Sequence, residues 1–388
     1  MTGSKFPFRG QGYDYIFCGA GCAALSLVMR MIKSGKFTDK RILLIDKGPK
    51  TKNDRTWCFW ERQNGFFENI VHKKWDRLSF FSDGFSNTMD ISPYEYKMIR
   101  GIDFYDHCFS EIAKHGNVEI HYGDLKSWRY HKEGLMFFID DQQLHLPRAT
   151  VFNSIYETGD SNSKTINLLQ HFKGWFVETH ESVFDPAIAT LMDFRMPQHH
   201  GTSFVYVMPF SPTRALVEYT LFSNELLPQH EYEDGLKSYI NSFLKISNYH
   251  VIDSEFGIIP MTTKKFDFFT GSAYNIGAAG GQTKASSGYT FQFIQKQAQA
   301  IVDHLIQAKD LASIPQTPGR FRFYDRVLLD VLHRKRVMGK DIFTLLFKKN
   351  KSQQVLRFLD NESSLSEELK IISTLPALPF LKAALKQF

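Results

Sequence analysis

Hydrophobic and polar positions near the N-terminus predict a strand, a tight turn, a helix and a second strand. Tyr13 to Cys18 is a short apolar run, Gly19-Ala20-Gly21 follows at once, and apolar residues recur at helical spacing from about Cys22 to Lys33. The next apolar run, Arg41 to Asp46, ends in an acidic residue 25 positions after Gly21. A dinucleotide-binding βαβ unit has these parts in this order.

Each of these residues has a physical role toward a dinucleotide. Gly19 permits a tight turn, Gly21 lets the backbone approach a pyrophosphate at the helix N-terminus, and Asp46 can accept hydrogen bonds from the adenosine ribose. Ala24 stands in place of a third glycine and is still small enough for close packing of helix on strand. The alternative is an ordinary glycine turn. The predicted cofactor-binding residues of this unit are Gly19, Ala20, Gly21, Ala23, Ala24, Asp46 and Lys47.

Beyond this unit the chain does not continue as alternating strands and helices. Short apolar runs between turn residues predict antiparallel strands inserted after the nucleotide unit, and then a second sheet for the substrate. The predicted strands are Phe80 to Ile91, Asn117 to Tyr122, Leu135 to Ile139, Gln143 to Leu146, Gly174 to His180, Thr202 to Pro209 and Arg214 to Phe222. The sequence therefore predicts an α/β fold in which a Rossmann-like FAD-binding domain carries an inserted mixed or antiparallel β-sheet substrate domain.

A second glycine turn, 258 residues after the first, indicates FAD rather than NAD. Tyr274 to Gly281 has the pattern of a strand that runs into a glycine turn, and a helical stretch follows from about Tyr289 to Gln307. Such a turn offers backbone donors to a second part of one dinucleotide, and the extended FAD molecule usually spans both ends of a chain. A plain loop is the alternative. The candidate cofactor residues here are Gly277, Gly280, Gly281, Ser287 and Gly288.

These patterns divide the chain into five predicted parts. Residues 1–80 form the FAD-binding βαβ portion, 81–150 a mixed portion of FAD-binding and inserted elements, and 151–265 the substrate-binding sheet domain. Residues 266–310 return to the FAD-binding domain, and 311–388 form a helical, basic C-terminal region.

The segment from Val331 to Arg357 carries eight basic residues, one acid and a bulky apolar strip. The strip consists of Met338, Ile342, Phe343, Leu345, Leu346 and Phe347. Cationic charge beside apolar side chains is typical of a helix that lies on an anionic membrane surface. We therefore predict peripheral attachment to the cytoplasmic side of a membrane. The alternative is a solvated helix whose apolar side packs on the protein body.

Composition narrows the functional classes. A net charge of +6 over 388 residues is too mild for nucleic-acid binding, whereas 57 aromatic residues (36 Phe, 16 Tyr and 5 Trp) suit a long apolar pocket. No apolar run approaches the roughly 20 residues of a membrane-spanning helix, and the first 11 residues lack a signal-peptide pattern, so we expect a protein made and kept inside the cell. Four cysteines without CxxC or histidine spacing predict neither a disulfide framework nor a metal site.

An ordered set of seven segments spans nearly the whole chain. The segments are the turn at Gly19, Asn53 to Phe59, Gln170 to Thr179, Leu191 to Arg195, Leu216 to Thr220, Ile259 to Met261 and Ser287 to Tyr289. This set resembles the bacterial lycopene β-cyclases, a family of FAD-dependent carotenoid cyclases. The resemblance implies a flavoprotein fold similar to that of aromatic hydroxylases, bound FAD, and closure of the linear ψ-ends of lycopene into β-ionone rings, giving γ-carotene and β-carotene.

The resemblance also implies catalytic residues. Glu218 would be the acid that protonates the terminal alkene, and Asp193 with Arg195 would belong to the active region, although a structural ion pair is an equal alternative for those two. Alternate residues of 216–222 share the strand face of Glu218 and are mostly apolar, and a carboxyl group buried there would stay protonated at neutral pH. A solvent-facing glutamate is the alternative.

Two positions depart from the family, and two more are candidate flavin contacts. Arg55 stands where His is common, and the paired glutamates of plant relatives are here Glu218 followed by Tyr219, which leaves one acid at that place. By resemblance, Trp57 would flank the flavin or the polyene, unless it is a core residue, and Arg100 would contact the flavin's phosphates or ribose. FAD would act in its reduced form without net redox change, with NADPH as the electron source.

Two other functional classes stay open. A hydroxylase, halogenase or isoprenoid reductase would use the same fold, but such hydroxylases usually carry Asp in the late glycine turn, where this chain has Ala278. Oxidation of NADPH coupled to product formation would favour this class. A non-catalytic, FAD-bearing membrane scaffold or carotenoid carrier would keep Gly19, Gly21 and Asp46 but would not need Glu218.

Overall fold

The computed structural model describes residues 12–132, 134–156, 165–271 and 273–387. The strands of the described residues are β1 (Tyr15–Cys18), β2 (Ile42–Asp46), β3 (Thr56–Glu61), β4 (Lys73–Trp75), β5 (Arg77–Ser82), β6 (Phe85–Asp90), β7 (Glu95–Arg100), β8 (Val118–Tyr122), β9 (Leu125–His131), β10 (Gly134–Ile139), β11 (Gln142–Leu146), β12 (Thr150–Asn153), β13 (Asn167–Glu178), β14 (Ile188–Asp193), β15 (Thr202–Ser211), β16 (Arg214–Ser223), β17 (His250–Thr262), β18 (Phe269–Thr270) and β19 (Ala273–Asn275). Their α-helices are α1 (Cys22–Ser34), α2 (Gly101–Ile112), α3 (Gln229–Ser242), α4 (Phe291–Ile306), α5 (Gly319–His333), α6 (Gly339–Lys349), α7 (Ser352–Leu359), α8 (Leu365–Ser373) and α9 (Ala377–Ala384).

Both glycine turns follow strands of one six-stranded sheet. Its strand order is β18-β19-β12-β1-β2-β8. The five strands from β19 to β8 run parallel, and β18 pairs antiparallel with β19. Helices α1, α2 and α4 bury one face around Phe17 and Leu44. The small sheet β11-β10-β9 covers the other face, where Phe137 packs with Ile16 and Ile45. A parallel sheet buried on both faces explains why its strands are continuous apolar runs.

A seven-stranded sheet, in the order β17-β13-β16-β15-β14-β5-β6, forms the second half of the molecule. Its neighbouring strands are antiparallel except for the parallel pair β14 and β5. Helix α3 packs on the face that carries Val217 and Tyr219. The C-terminal helices and the sheet β3-β7-β4 pack on the opposite face, which carries Phe204 and Leu216.

The predicted fold class is confirmed, with three local differences. Asn117 to Tyr122 was expected among the inserted antiparallel strands, but β8 lies parallel to β2 in the six-stranded sheet. The predicted domain boundary at residue 151 falls inside β12, which belongs to the same sheet. The substrate sheet takes β5 and β6 from before residue 100 and β17 from a segment for which no strand was predicted.

Four of the six residues in the apolar strip predicted to lie on a membrane are part of the core, whereas Met338 is exposed and Leu345 is half-buried. Ile342, Phe343, Leu346 and Phe347 of α6 are at most 5% exposed and pack against the seven-stranded sheet. Several of the basic residues form ion pairs: Arg334 and Arg336 with Asp330, Lys340 with Asp83, and Arg357 with Glu367. The alternative, a helix packed on the body by its apolar side, is the observed arrangement. No helix within the described ranges is both long enough and apolar enough to cross a membrane.

Candidate active site

A cavity of about 410 Å³ lies between the seven-stranded sheet, the sheet β3-β7-β4 and the segment that joins the late glycine turn to α4. Its walls are largely apolar and aromatic, and they include Trp57, Phe172, Tyr206, Met208, Tyr289 and Phe291. Glu218 is the one glutamate among the described residues that line it. An acid in an apolar cavity is the arrangement that proton transfer to a hydrocarbon requires.

Glu218 is buried because β16 is covered on both faces. Its side chain is 8% exposed and projects from the face that carries Leu216 and Phe222, whose side chains lie in the core. Thr220 Oγ1 donates a hydrogen bond to Glu218 Oε1 over 2.9 Å. Burial raises the pKa of Glu218 well above its usual range, and a neighbouring carboxyl group, Glu255, raises it further. Burial and the neighbouring acid therefore both favour the protonated form of Glu218.

Glu255 of β17 supplies a second acid that the sequence analysis did not identify. Glu218 and Glu255 both align with Gly174 of β13, one strand away on either side. Glu255 is 4% exposed, and its Oε2 atom accepts a hydrogen bond of 2.7 Å from Thr56 Oγ1. Burial raises the pKa of Glu255 to about 7. The site thus holds two buried, interacting carboxyl groups.

The two glycine turns meet in space. A Cβ atom on Gly277 would lie 2.6 Å from Cβ of Ala23, and Gly277 has a φ of +60°. Helix α1 begins after Gly21 with no side-chain cap and no acidic residue in its first turn, so its N-terminal N–H groups stay available to an anion. Nothing lies within 4 Å of a Cβ built on Gly21, which leaves space for a phosphate there.

Asp46 stands at the end of β2, beside the first turn. Its Oδ2 atom accepts a 2.7 Å hydrogen bond from the N–H of Ala20, and its Oδ1 atom accepts one of 2.8 Å from Lys50 Nζ. Lys47, the predicted cofactor contact, is instead 80% exposed and lies 4.0 Å from Asp124. Ala24, in the first turn of α1, is fully buried, and its small size allows the helix to pack closely there.

The late glycine turn does not offer the free backbone N–H groups that were predicted to bind a dinucleotide. The N–H groups of Gly277, Gly280 and Gly281 donate to Gln297, Ile276 and Ala278, and those of Ser287 and Gly288 donate to Lys284. These five groups are therefore not free donors for a dinucleotide. Two buried polar atoms on the cavity wall, Ser287 Oγ and Gln170 Oε1, have no hydrogen-bond partner in the described part of the chain. A polar cofactor would satisfy both.

The sequence was compared with models of known protein families, and one family matches nearly the whole chain. The model of the family described as "Lycopene cyclase protein" matches residues 14–385. The chain belongs to the lycopene cyclase family. The family suggested by the sequence segments is thereby confirmed, and with it a place among carotenoid cyclases.

Individual relatives of this lycopene cyclase family member are distant. A lycopene β-cyclase of Pantoea ananas is 26% identical over 223 residues, which are 54% of this chain and 52% of that protein. The match thus spans about half the length of that relative. A flavoprotein/dehydrogenase from Cytophaga hutchinsonii has a TM-score of 0.61 at 12% identity, covering 97% of this chain and 99% of its own. Aklavinone-11 hydroxylase, solved with FAD and aklavinone, has a TM-score of 0.55 at 14% identity, covering 76% and 62%. These similarities show a common flavoprotein fold.

The cation that faces the cavity in this family member is Arg55 rather than Arg100. Arg100, at the end of β7, forms two hydrogen bonds to Asp103, of 2.7 and 2.6 Å, and does not line the cavity. Arg55 does line it, and its charge acts on the Cys22 thiol in the first turn of α1. Trp57 borders the cavity and contacts Phe104, Tyr105 and Phe291.

Asp193 and Arg195 lie on the other side of the substrate sheet from Glu218. Asp193 is fully buried, and its Oδ2 atom accepts hydrogen bonds from Arg195 and, over 2.8 Å, from Tyr239 of α3. The Arg195 guanidinium lies over the rings of Phe81 and Phe243. The predicted catalytic role of this pair is not supported, because its contacts attach α3 and the loop after β14 to the sheet.

Proposed function

We propose that this protein is an FAD-dependent lycopene β-cyclase that closes the ψ-ends of lycopene, through γ-carotene to β-carotene, without net redox change. The observation that carries the proposal is the burial of Glu218, which raises its pKa, in a cavity with aromatic walls beside the late glycine turn of a flavoprotein fold. The family of the chain and its Pantoea relative support the substrate class.

The residues at the turns fit FAD. The open N-terminus of α1 with Gly21 would hold the pyrophosphate, Asp46 the adenosine ribose, and Ser287 Oγ with Gln170 Oε1 polar atoms at the flavin end. In its reduced, anionic form FAD would supply negative charge near a developing cation or help to place the proton. We propose NADPH as the source of the electrons.

The chain's own residues perform the acid chemistry. Glu218 would add its proton to the terminal double bond of the substrate, the neighbouring alkene would attack the resulting cation, and loss of a proton from the new ring would restore the acid. Trp57, Phe172 and Tyr206 present aromatic faces to the cavity, which stabilise a cation by roughly 0.5 to 2 kcal/mol each without offering a nucleophile. Apolar walls also exclude the water that would trap the cation.

We further propose that the protein works as a peripheral protein on the cytoplasmic side of a membrane, attached through α8, α9 and the turn after α9. Five leucines on these elements are 58 to 74% exposed: Leu365, Leu369, Leu378, Leu381 and Leu385. Lys370, Lys382 and Lys386 are interspersed with them, which suits an anionic lipid surface. Helix α9 packs on α5, which also contacts the cavity strand β17, so this leucine surface is connected to the site.

The proposal is tested by anaerobic incubation of the purified protein with lycopene in liposomes, with the flavin oxidised or chemically reduced, followed by chromatography of the pigments. We expect γ-carotene and β-carotene only with reduced flavin, and a flavin spectrum that is unchanged at the end. The variant E218Q should keep FAD and lose at least a hundredfold in rate, because it lacks the general acid. Unchanged lycopene, or NADPH consumed in step with an oxidised product, would overturn the proposal.

A further inference from the structure

The two carboxyl groups are brought together by a glycine on the strand between them. Gly174 of β13 pairs with Glu218 on β16 and with Glu255 on β17. A Cβ atom at this position would lie 2.8 Å from Leu216 Cδ1 and 3.1 Å from Glu255 Cγ. Because glycine has no side chain, the two glutamates reach across it on one face of the sheet.

The hydrogen bonds around the pair leave one carboxyl oxygen that a shared proton would satisfy. Outside the pair, Glu218 accepts from Thr220 and Glu255 accepts from Thr56. Inside it, the two carboxyl groups face each other, and the buried Glu255 Oε1 atom has no donor among the described residues. Two anions at such a site would repel each other strongly, whereas a proton on Glu218 donates to Glu255 and satisfies its orphaned oxygen.

The surroundings determine which acid holds the proton. The titratable group that acts on Glu218 from another element is Glu255 of β17, and the charge of Glu218 in turn acts on Cys58 of β3, Tyr206 of β15 and Tyr289 before α4, whose pKa values burial raises. Asp54 and Asp253 act on Glu255, which also has the hydroxyl of Thr56 to stabilise its charge. Arg55 is the cation among the described residues that line the same cavity as Glu218. Glu255, whose pKa is raised to about 7, therefore ionises first as the pH rises, and Glu218 keeps the last proton of the pair.

We infer that Glu255 is a positioning residue that shares one proton with Glu218 and keeps Glu218 in its acid form. The inference rests on the proposed function. During the reaction the proton leaves Glu218 for the substrate carbon, and the proton released from the ring returns to the pair, so the site gains and loses one proton per ring. Once ionised, Glu255 would also stabilise the intervening cation electrostatically.

The test uses the isosteric variant E255Q in the full-length, flavin-loaded protein. Without an anionic neighbour, Glu218 should titrate at lower pH, so the alkaline loss of activity should move down by about one pH unit and the rate at neutral pH should fall at least tenfold. E178Q is the matched control, because Glu178 lies at the end of the same sheet and pairs with Arg214. A pH profile equal to that of the parent, with or without a lower rate, would overturn the inference.

Infrared difference spectroscopy tests the pair without any carotenoid. The parent should show a protonated carboxyl band at neutral pH that is absent in E218Q and titrates at lower pH in E255Q. Absence of that dependence in E255Q refutes the shared proton even if the parent is an active cyclase. Presence of it in a parent that cyclises nothing supports the acid pair and refutes the proposed function instead.

Discussion

Gly277 and Ala23 are 254 positions apart in the sequence, yet a Cβ atom on Gly277 would lie 2.6 Å from that of Ala23. Gly277 also has a φ of +60°, a conformation that costs other residues about 1–2 kcal/mol. The absence of a side chain at Gly277 therefore allows the late turn to rest on α1. Segments near both ends of the chain therefore meet at the N-terminus of α1 through this contact.

The variant G277A should lower the free energy of unfolding by about 3 kcal/mol, since it adds steric crowding to backbone strain. G84A is the matched control: Gly84 has a φ of +68°, but nothing lies within 4 Å of its Cβ position, so its cost should be about 1 kcal/mol. Urea denaturation of both variants measures the difference. Equal losses of stability would show that the contact with Ala23 has no energetic weight.

Asp193→Asn should destabilise the protein without removing the chemistry. Loss of the buried carboxylate would leave Arg195 and Tyr239 partly unpaired. We expect the free energy of unfolding to fall by about 2 kcal/mol, a modest amount because Arg195 is 34% exposed. Chemical denaturation measures that loss, and the cyclisation assay on the folded fraction should give a rate close to that of the parent. A cyclisation rate as low as that of E218Q would show that Asp193 takes part in catalysis.

The triple variant L378S/L381S/L385S should bind anionic vesicles at least tenfold more weakly than the parent, because three exposed leucines lose their contact with lipid. Its stability should be nearly unchanged, since these side chains contribute little to the core. A matched triple variant, V183S/L226S/I306S, removes three other exposed apolar side chains. Vesicle sedimentation distinguishes them: equal binding by both variants argues against the leucine surface.

Stability should fall as the pH rises from about 4.5 toward 7. The folded state raises the pKa of Glu255 to about 7, from 4.5, so in this interval it retains a proton that the unfolded chain has lost. The folded state is then stabilised at low pH, and this contribution disappears as the pH passes through the folded value. E255Q should therefore show a flatter stability profile than the parent or E178Q in urea titrations across this interval. Asp360, whose pKa burial also raises to about 7, is present in all three proteins and cancels in the comparison.

Some parts of the fold follow from local pattern. The apolar periodicity of 22–33 predicted α1 to within one residue of its end, and the run at 41–46 contains all of β2. These features depend on residues close in sequence. Glu218 lies on a strand that is buried on both faces, as the family resemblance implied, whereas the pattern of residues 214–223 alone left a solvent-facing glutamate open.

β17 could not be predicted in this way. It is an edge strand that contains Gly257 and Pro260, its Val251 and Ile252 are exposed, and its pattern is mixed. Proline is tolerated there because its position lacks a neighbour on one side. Because this strand was not predicted, the second acid, Glu255, could not be assigned to the site from the sequence. The residue with which it pairs, Gly174, is 81 positions away.

The sequence by itself determined the N-terminal βαβ unit and the flavoprotein fold class, because these depend on periodicity and on motifs in fixed order, and the family resemblance drew attention to Glu218. The tertiary structure alone decided the acid pair, the side of the sheet on which Asp193 lies, and the burial of the apolar strip of α6. An amphipathic pattern predicts that the apolar face of a helix is covered, but it does not show whether a membrane or the rest of the protein covers it. Strand register and long-range packing supply that answer, and they are fixed only when the whole chain folds.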